Sequence, residues 1–196
     1  SQIRSSNGAK SSDRSSLILP RWNTGVIDSA LMAKPFQIRI AELSDSEGIA
    51  RVHTRSWQSA YRGILPDEWL DALRWEDRKI RWDAILSSGT RGDIFVAANA
   101  HNEIIGFASI GPSRDEDIEQ HRTHELYAIY LTPDNWGVGI GSALMRAVLK
   151  EVPETTKWLS LWVLEENKCG RKFYESFGFI LDGATKAAEI DGYQPE

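Results

Sequence analysis

The sequence predicts a single domain of the α/β (α+β) class, in which helices flank one sheet. Its 196 residues are enough for one domain with a sizeable core, and few for two. Helical patterns dominate residues 44–86, whereas short apolar or alternating strands dominate the part that follows. Between residues 124 and 150, a strand, a glycine-rich loop and an amphipathic helix succeed one another.

The first half of the domain combines one strand with three helices. FQIRI, residues 36–40, predicts a short strand. Ser44 and Glu47 have the spacing of a capping box and predict the start of a helix that runs to about Ala60. Pro66 and the two acids after it are typical of a first helical turn, so LPDEWLDAL predicts a second helix. A third is predicted for about residues 75–86.

The second half consists mainly of strands. DIFVAAN and EIIGFASIG, separated by AHN, predict a hairpin, and HELYAIYL predicts the fourth strand of the chain. After the glycine loop, Ile140, Leu144 and Val148 recur at four-residue spacing and predict a helix with one apolar face. WLSLWVL then alternates like a strand, and RKFYESFGF predicts a short helix that leads into a final strand. The predicted order is therefore β, α, α, α, β, β, β, α, β, α, β.

Residues 1–34 differ from residues 35–196. They are serine-rich, lack strong periodicity and have five basic against two acidic side chains, a net charge of +3. We therefore predict a disordered leader, a tag or an N-terminal arm for residues 1–34 and one domain for residues 35–196. Because the whole chain carries −5, the domain carries −8. This acidity argues against a nucleic-acid partner and favours a cationic one.

Composition also limits the other classes of function. No apolar run is long enough to span a bilayer, so no membrane interaction is expected. Cys169 is the single cysteine, and with four scattered histidines it forms no recognisable set of metal ligands. We expect a reducing, cytoplasmic location, with Cys169 in a packing or surface role; a nucleophilic role would need a partner base that no motif marks.

The three glycines in the loop NWGVGIGS stand where a helix begins, which needs a physical explanation. A glycine in a helical turn costs about 1 kcal/mol relative to alanine, so Gly137, Gly139 and Gly141 weaken the helix they introduce. A bare backbone at a helix N-terminus lets an anion approach the N–H groups closely, although a tight turn would also use glycine. A P-loop requires lysine where Ser142 follows the last glycine, and a dinucleotide fingerprint requires different spacing and an acid in place of Leu161.

Two motifs in order carry a family resemblance. WGVGIG after YLTP, with LWVLEENKCGRKFYESFGF downstream, resembles the markers of the GCN5-related N-acetyltransferase (GNAT) family over roughly residues 38–181. The resemblance implies a mixed, mostly antiparallel sheet that is splayed at its fourth strand, with acetyl-CoA in the cleft. It also implies transfer of an acetyl group to a primary amine, in a small molecule or at a protein or peptide N-terminus, by direct attack in a ternary complex.

The resemblance assigns the cofactor-binding residues. Backbone N–H groups of the loop are expected to bind the pyrophosphate, a backbone N–H near the end of the fourth strand to bind the thioester carbonyl, and an asparagine to contact the cofactor arm. Trp136 stands where the family prefers Arg or Gln, so it would pack on the cofactor instead of binding a phosphate. Asn167 could equally be the N-cap of the following helix. The complete set is Ile129, Tyr130, Leu131, Trp136, Gly137, Val138, Gly139, Ile140, Gly141, Ser142 and Asn167.

Two residues match the family's catalytic positions. An alkyl amine is mostly protonated at neutral pH, so a base must remove a proton before attack. The resemblance gives this role to Glu125, directly or through water, with His124 as the alternative base. It gives the role of acid toward the leaving thiolate to Tyr174. Otherwise Glu125 is a solvent-facing carboxylate and Tyr174 a core aromatic.

The acceptor is expected to lie against the segment between the first two helices. Trp57 and Tyr61 are the candidate substrate-binding residues, and Trp69 lies nearby with Asp67 and Glu68. Aromatic rings beside acids suit a cationic amine, although each of these residues could simply pack in the core.

The C-terminal segment ATKAAEIDGYQPE ends where the last strand of the family would return. Either the strand is absent, or a neighbouring chain supplies it. An open sheet edge favours pairing between subunits, so we expect a possible homodimer. The alternative function is a non-catalytic acyl-CoA-binding sensor or regulatory module.

Overall fold

The computed structural model describes residues 11–18, 35–88 and 93–187. They form one seven-stranded sheet with helices on both faces, which confirms the predicted fold class. The strands are β1 (Ser11–Ile18), β2 (Phe36–Ile40), β3 (Ile94–Asn99), β4 (Ile104–Pro112), β5 (Thr123–Leu131), β6 (Trp158–Leu164) and β7 (Ile180–Ala187). The α-helices are α1 (Ser46–Ala60), α2 (Asp67–Ala72), α3 (Trp75–Ser88), α4 (Ile140–Glu151) and α5 (Lys168–Ser176).

The order of strands across the sheet is β2-β3-β4-β5-β6-β1-β7. All neighbours are antiparallel except β5 and β6, which are parallel. Period-two alternation along β3 separates the two faces, because Phe95 packs in the cluster around α4 while Val96 packs with α1 and α3. The apolar face predicted for α4 is confirmed, since Ile140, Leu144 and Val148 are all buried against the sheet.

The sheet opens between β5 and β6. Their ladder has only three pairs, Thr123 with Trp158, His124 with Leu159 and Glu125 with Ser160. Beyond these pairs, β5 remains paired with β4 as far as Leu131, while β6 remains paired with β1 as far as Leu164. A register shift in the β4–β5 pairing next to this point marks a β-bulge in the sheet. We call the opening, between residues 126–131 and 161–164, the gap; it is the splay predicted for the fourth strand of the domain.

The N-terminal prediction is wrong for residues 11–18. They form β1, which lies between β6 and β7 and pairs with both, whereas residues 1–10 and 19–34 lie outside the described residues. The polar composition of β1 is compatible with this position because its backbone is bonded on both edges and Arg14 forms ion pairs with Asp117 and Asp182. β6 is paired with β1 along its whole length. The C-terminal end on which the homodimer prediction was based, residues 188–196, lies outside the described part, so the homodimer stays a prediction.

The start of the first helix also differs in detail. A short 3₁₀ turn, Leu43–Asp45, precedes α1, so the Ser44–Glu47 pattern does not cap the helix. The local hydrogen bonds are made by Asp45 instead, which accepts from the backbone N–H of Glu42 and from the Arg39 guanidinium. Among the helices described, none combines the length and apolar character needed to cross a membrane.

Candidate active site

The glycine loop lies at the wide end of the gap. Gly137 and Gly139 have φ values of 72° and 87°, a left-handed conformation that glycine adopts without strain. Gly139 is the residue before α4, so the first N–H groups of that helix, from Ile140 to Ser142, have no acceptor within the helix. A side-chain carbon placed on Gly137 would meet no atom within 4 Å. The loop therefore presents bare backbone donors to open space at the positive end of a helix dipole.

Contacts of Trp136 and Gly141 hold the loop against the end of β5, beside the gap. A side-chain carbon on Gly141 would lie 3.3 Å from Leu131 and 3.5 Å from Phe173, so this glycine permits close packing between α4, β5 and α5. Trp136 is 43% exposed, and its indole N–H donates to the Leu131 carbonyl over 3.1 Å. Val138 is exposed as well, whereas the Ile140 side chain is buried and can contribute only backbone.

Three tyrosine hydroxyls converge from three elements. The hydroxyls of Tyr61, after α1, and Tyr130, on β5, are 3.5 Å apart. Burial raises the pKa of Tyr174, on α5, and the neighbouring Tyr130 raises it further. Burial likewise raises the pKa of Tyr61 well above its ordinary value. The phenols of Tyr61 and Tyr174 therefore stay protonated at neutral pH and can donate a proton or a hydrogen bond.

The predicted acceptor residues form an aromatic cluster beside these phenols. The Trp57 ring lies 5.2 Å from that of Tyr61, 6.1 Å from that of Trp69 and 6.3 Å from that of Tyr130. The predicted acids do not complete this cluster, since Asp67 pairs with Arg62 and the Glu68 side chain is exposed. The Arg78 guanidinium lies instead 4.5 Å over the Trp57 ring and brings a positive charge to it.

His53 is a member of this cluster that the sequence did not indicate. Its ring stacks on Tyr130 at 5.1 Å, and both ring nitrogens are buried without a hydrogen-bond partner among the described residues. Burial, followed by the charges of Arg78 and Arg81, lowers the pKa of His53 well below its ordinary value. The imidazole is therefore neutral at neutral pH. Its position on the inner face of α1 was the only available signal, and that position is shared with ordinary core residues.

Glu125 lies at the narrow end of the gap, in the last β5–β6 pair. Its side chain is only 1% exposed, and its carboxylate is held by Arg114. Oε2 accepts from the Arg114 backbone N–H at 3.0 Å and from Nε at 3.1 Å, while Oε1 accepts from Nη2. Arg114 belongs to the loop between β4 and β5, where no periodicity marks it, so the sequence did not reveal this pair.

His124 and Asn167 have local partners. The His124 ring nitrogen Nδ1 lies 2.8 Å from the Thr156 hydroxyl, and burial lowers the pKa of this histidine. Asn167 is the N-cap of α5, as one of the two predictions had it, and accepts from the Gly170 N–H at 3.0 Å. A side-chain carbon at Gly170 would lie 2.8 Å from Asn167 Nδ2, so glycine makes room for this cap. Cys169 is exposed on the same helix.

The combination of these features defines a class of protein. A sheet that opens between two parallel strands, with a glycine loop and a helix N-terminus at the wide end, is the arrangement implied by the resemblance to GNAT enzymes. A buried glutamate at the narrow end and a phenol from the last helix complete it. The fold is thus that of the GNAT class of acyltransferases.

Comparisons with known proteins place the chain in one family. The model of the Acetyltransferase (GNAT) family matches residues 53–179, so the chain belongs to this family. It is 33% identical over 131 residues to the uncharacterized N-acetyltransferase YuaI of Bacillus subtilis (strain 168), covering 66% of this chain and 72% of that protein. It is 24% identical over 150 residues to spermidine N(1)-acetyltransferase of Thermoplasma acidophilum, covering 74% and 89%.

A solved structure shows the same fold. The PaiA N-acetyltransferase from Thermoplasma acidophilum, in complex with coenzyme A, superposes with a TM-score of 0.61 at 24% identity. The match covers 81% of this chain and 94% of that one. Family membership makes this protein an N-acetyltransferase, and its acetyl donor is acetyl-CoA.

Proposed function

We propose that this chain transfers the acetyl group of acetyl-CoA to a primary amine, by direct attack of the amine in a ternary complex. The observation that carries the proposal is the gap between β5 and β6, which leads from the glycine loop to Glu125. Such a gap can hold an extended chain with an anionic group at one end and a reactive group at the other. Bound acetyl-CoA would supply an activated acetyl thioester at that narrow end.

The residues along the gap fit this cofactor. N–H groups of residues 137–142 would bind the pyrophosphate, because Gly137 borders open space and the first N–H groups of α4 have no acceptor within the helix. Along β5, the backbone groups of residues 129–131 that point toward β6 have no strand partner among the described residues. They would bond the amide-containing arm and the thioester carbonyl. Trp136 would pack on the cofactor, and Asn167 would contact its arm while it caps α5.

Glu125 is the proposed base. A protonated amine that reaches the narrow end of the gap meets a buried carboxylate there, which can take the proton directly or through a water molecule. Arg114 holds that carboxylate before the amine arrives. The Arg114 side chain is 63% exposed, so its guanidinium can turn into solvent, while the Arg114 backbone N–H still donates to Oε2 and the incoming ammonium group replaces the lost positive charge beside Glu125. His124 is a poorer candidate, since its Nδ1 is bonded to Thr156.

Tyr174 is the proposed acid. The leaving thiolate belongs to a thiol whose pKa is about 8.5, so it needs a neutral donor nearby. Burial keeps the Tyr174 phenol protonated, and the packing of Tyr174 and of Leu131 on β5 against the same core cluster supports a position beside the gap. The hydroxyl would donate its proton to the sulfur as the bond to the acetyl group breaks.

The acceptor amine would lie against Trp57 and Tyr61. Aromatic faces attract an ammonium group, and the relative named for spermidine supports a cationic acceptor. Arg78 already covers one face of Trp57, so we place the ammonium on the side of Tyr61. Small amines and peptide N-termini both remain within this proposal.

Calorimetric titration with acetyl-CoA, alongside NAD and ATP, tests the donor site. We expect saturable binding of acetyl-CoA alone. A panel of polyamines, amino acids and peptides with free N-termini then tests transfer, with acetylated product measured by mass spectrometry. Acetylation of a panel member whose double-reciprocal plots, at several fixed concentrations of the second substrate, intersect and do not run parallel supports a ternary complex. Acetyl-CoA binding without transfer to any member would contradict the proposed reaction.

A further inference from the structure

We propose that the slot between β6 and β7 is a strand-binding groove for residues 11–18, and that filling it fixes one wall of the cofactor gap. The first part rests on the pairing and side-chain contacts of β1. The second part rests on the proposed function, since it assumes that acetyl-CoA lies in the gap.

Backbone pairing gives β1 a central place in this half of the sheet. It pairs with all seven residues of β6, whereas β5 pairs with only three of them. The part of β6 that borders the gap, residues 161–164, is thus paired on the β1 side alone. Among the described strands, β7 pairs only with β1. Without β1, both edges of residues 161–164 would lack a partner, so this wall would lose its support.

One face of β1 is recognised by acidic side chains. Arg14 is only 8% exposed, and its Nε donates to Asp182 at 2.7 Å while Nη1 donates to Asp117 at 2.8 Å. Ser16, two residues along on the same face, donates to Asp182 at 2.8 Å. Nη1 also lies 3.6 Å from Asp115. A buried guanidinium requires such partners, so the groove selects a basic side chain at this register.

The other face of β1 is recognised by α5 and the core. Asp13 accepts from Arg171 on α5 at 3.0 Å. Leu17 packs against the cluster around α4, and a side-chain carbon on Gly178 would lie 3.4 Å from it. The groove therefore fits an extended segment with an acid, a base and an apolar residue at positions 13, 14 and 17. Residues 11–18 of this chain meet that description.

The groove is also connected to the proposed base. Asp115 and Asp117, which face Arg14, lie in the same loop as Arg114, which holds Glu125. Asp115 in addition accepts from the Trp162 indole N–H on β6, with distances of 2.9 and 3.1 Å to its two oxygens. Placement of β1 thus orders this loop and β6 together. Arg14 is a positioning residue, because it acts on the site through these neighbours.

The test uses the full chain with Arg14→Asp and a fluorescent peptide of residues 11–18. We expect the substitution to loosen β1, and if only about a tenth of the molecules keep the wall in place, the apparent Kd for acetyl-CoA rises about tenfold. The wild-type peptide should bind this variant, seen as a rise in anisotropy, and return the acetyl-CoA Kd to within about twofold of the wild-type value. A peptide carrying Arg14→Asp should do neither. Arg74→Asp, at an exposed arginine that pairs with Glu76, is the matched control and should leave the Kd unchanged.

A second variant distinguishes loss of the Arg14 contacts from a general failure of the chain to fold. Asp182→Arg combined with Arg14→Asp reverses one of the ion pairs and should recover part of the acetyl-CoA affinity, because Asp115 and Asp117 still face position 14. Amide hydrogen exchange in β6 should rise in Arg14→Asp and fall again in the double variant, while β3 stays protected throughout. Unchanged exchange in β6, or no binding of the wild-type peptide to Arg14→Asp, would overturn the proposal. Peptide binding and amide hydrogen exchange are measured without acetyl-CoA. They therefore test the role of β1 even if the wild-type chain does not bind this cofactor and the proposed function fails.

Discussion

Replacement of Gly137 by alanine separates the binding role of the glycine loop from its role as a turn. The φ of Gly137 is 72°, and an added methyl group would touch no protein atom within 4 Å. The variant therefore suffers backbone strain of about 1–2 kcal/mol without a clash. Reduced freedom of the unfolded chain offsets about 0.4–1 kcal/mol of it. We expect a net loss of stability on the order of 1 kcal/mol, equivalent to about 2–4 °C in Tm for a chain of this size.

The effect on acetyl-CoA binding should be larger than the effect on stability. The methyl group would occupy the open space through which we expect the pyrophosphate to approach the loop. Loss of one charge-assisted hydrogen bond costs about 1.5–3 kcal/mol, which corresponds to roughly a 10- to 150-fold rise in Kd. Titration calorimetry at low ionic strength measures this change, and a thermal melt of the same sample measures the stability.

Gly63→Ala is the matched control. Gly63 lies in the turn after α1 with a φ of 76°, and a methyl group there would also meet nothing within 4 Å. Both variants should lose similar stability, but only Gly137→Ala should lose affinity. A threefold ratio of Kd values corresponds to a difference in binding free energy well under 1.4 kcal/mol. If the Kd values of the two variants agree within about threefold, the loop does not bind the anion and the glycines only form the turn.

Four further substitutions test the proposed chemistry and the buried cluster. Tyr174→Phe should lower kcat far more than it changes the acetyl-CoA Kd, because only the transfer step uses the phenol proton. Glu125→Gln should lower kcat by about 10²- to 10⁴-fold, whereas Arg114→Gln, which keeps the carboxylate, should lower it much less. Burial and two nearby arginines depress the pKa of His53, so the folded state keeps it neutral while the unfolded state binds a proton below about pH 6.5. The free energy of unfolding should therefore fall between pH 6.5 and 5, with up to about 1.4 kcal/mol per pH unit from this residue. In urea titrations His53→Phe should reduce the slope, and the part that remains belongs to His124, whose pKa burial also lowers.

Each of these substitutions has a contrary outcome. Unchanged turnover in Tyr174→Phe would remove the phenol from the mechanism. Equal losses of kcat in Glu125→Gln and Arg114→Gln would mean that Glu125 anchors the loop and is not the base. For the pH dependence, the control is His101→Gln, at an exposed histidine. If the slope in His53→Phe equals the slope in His101→Gln, His53 is not the group that causes it.

Features that depend on neighbours in sequence were predictable. The spacing of Ile140, Leu144 and Val148 indicated the buried face of α4, and the glycines indicated the bare backbone before it. Hydrophobic periodicity and turn chemistry act within a few residues, so a single sequence displays them. The same holds for Asn167, whose capping bond to Gly170 spans three residues.

Features that depend on distant partners were not predictable. Residues 11–18 have the composition of a disordered segment, and only the paired edges of β6 and β7 make them a strand. The bond between Arg114 and Glu125 joins an irregular loop to a strand, and charge alone does not identify which of many arginines will make it. His53 follows the same rule, because its neutral state results from burial and from arginines on another helix.

The place of β1 in the sheet also has a consequence for synthesis of the chain. Arg14 and Asp182 are 168 residues apart, so β1, the first of the described strands, can complete its pairing only after β7 has left the ribosome. At about 5–20 residues per second, this interval lasts roughly 8–34 s. Residues 11–18 contain four serines and two charged residues, which keep the segment hydrated until β7 has been synthesised. Such a polar segment offers little apolar surface for aggregation. Closure of so long a loop is entropically slow, so we expect docking of β1 to be the final step of folding and to set its rate.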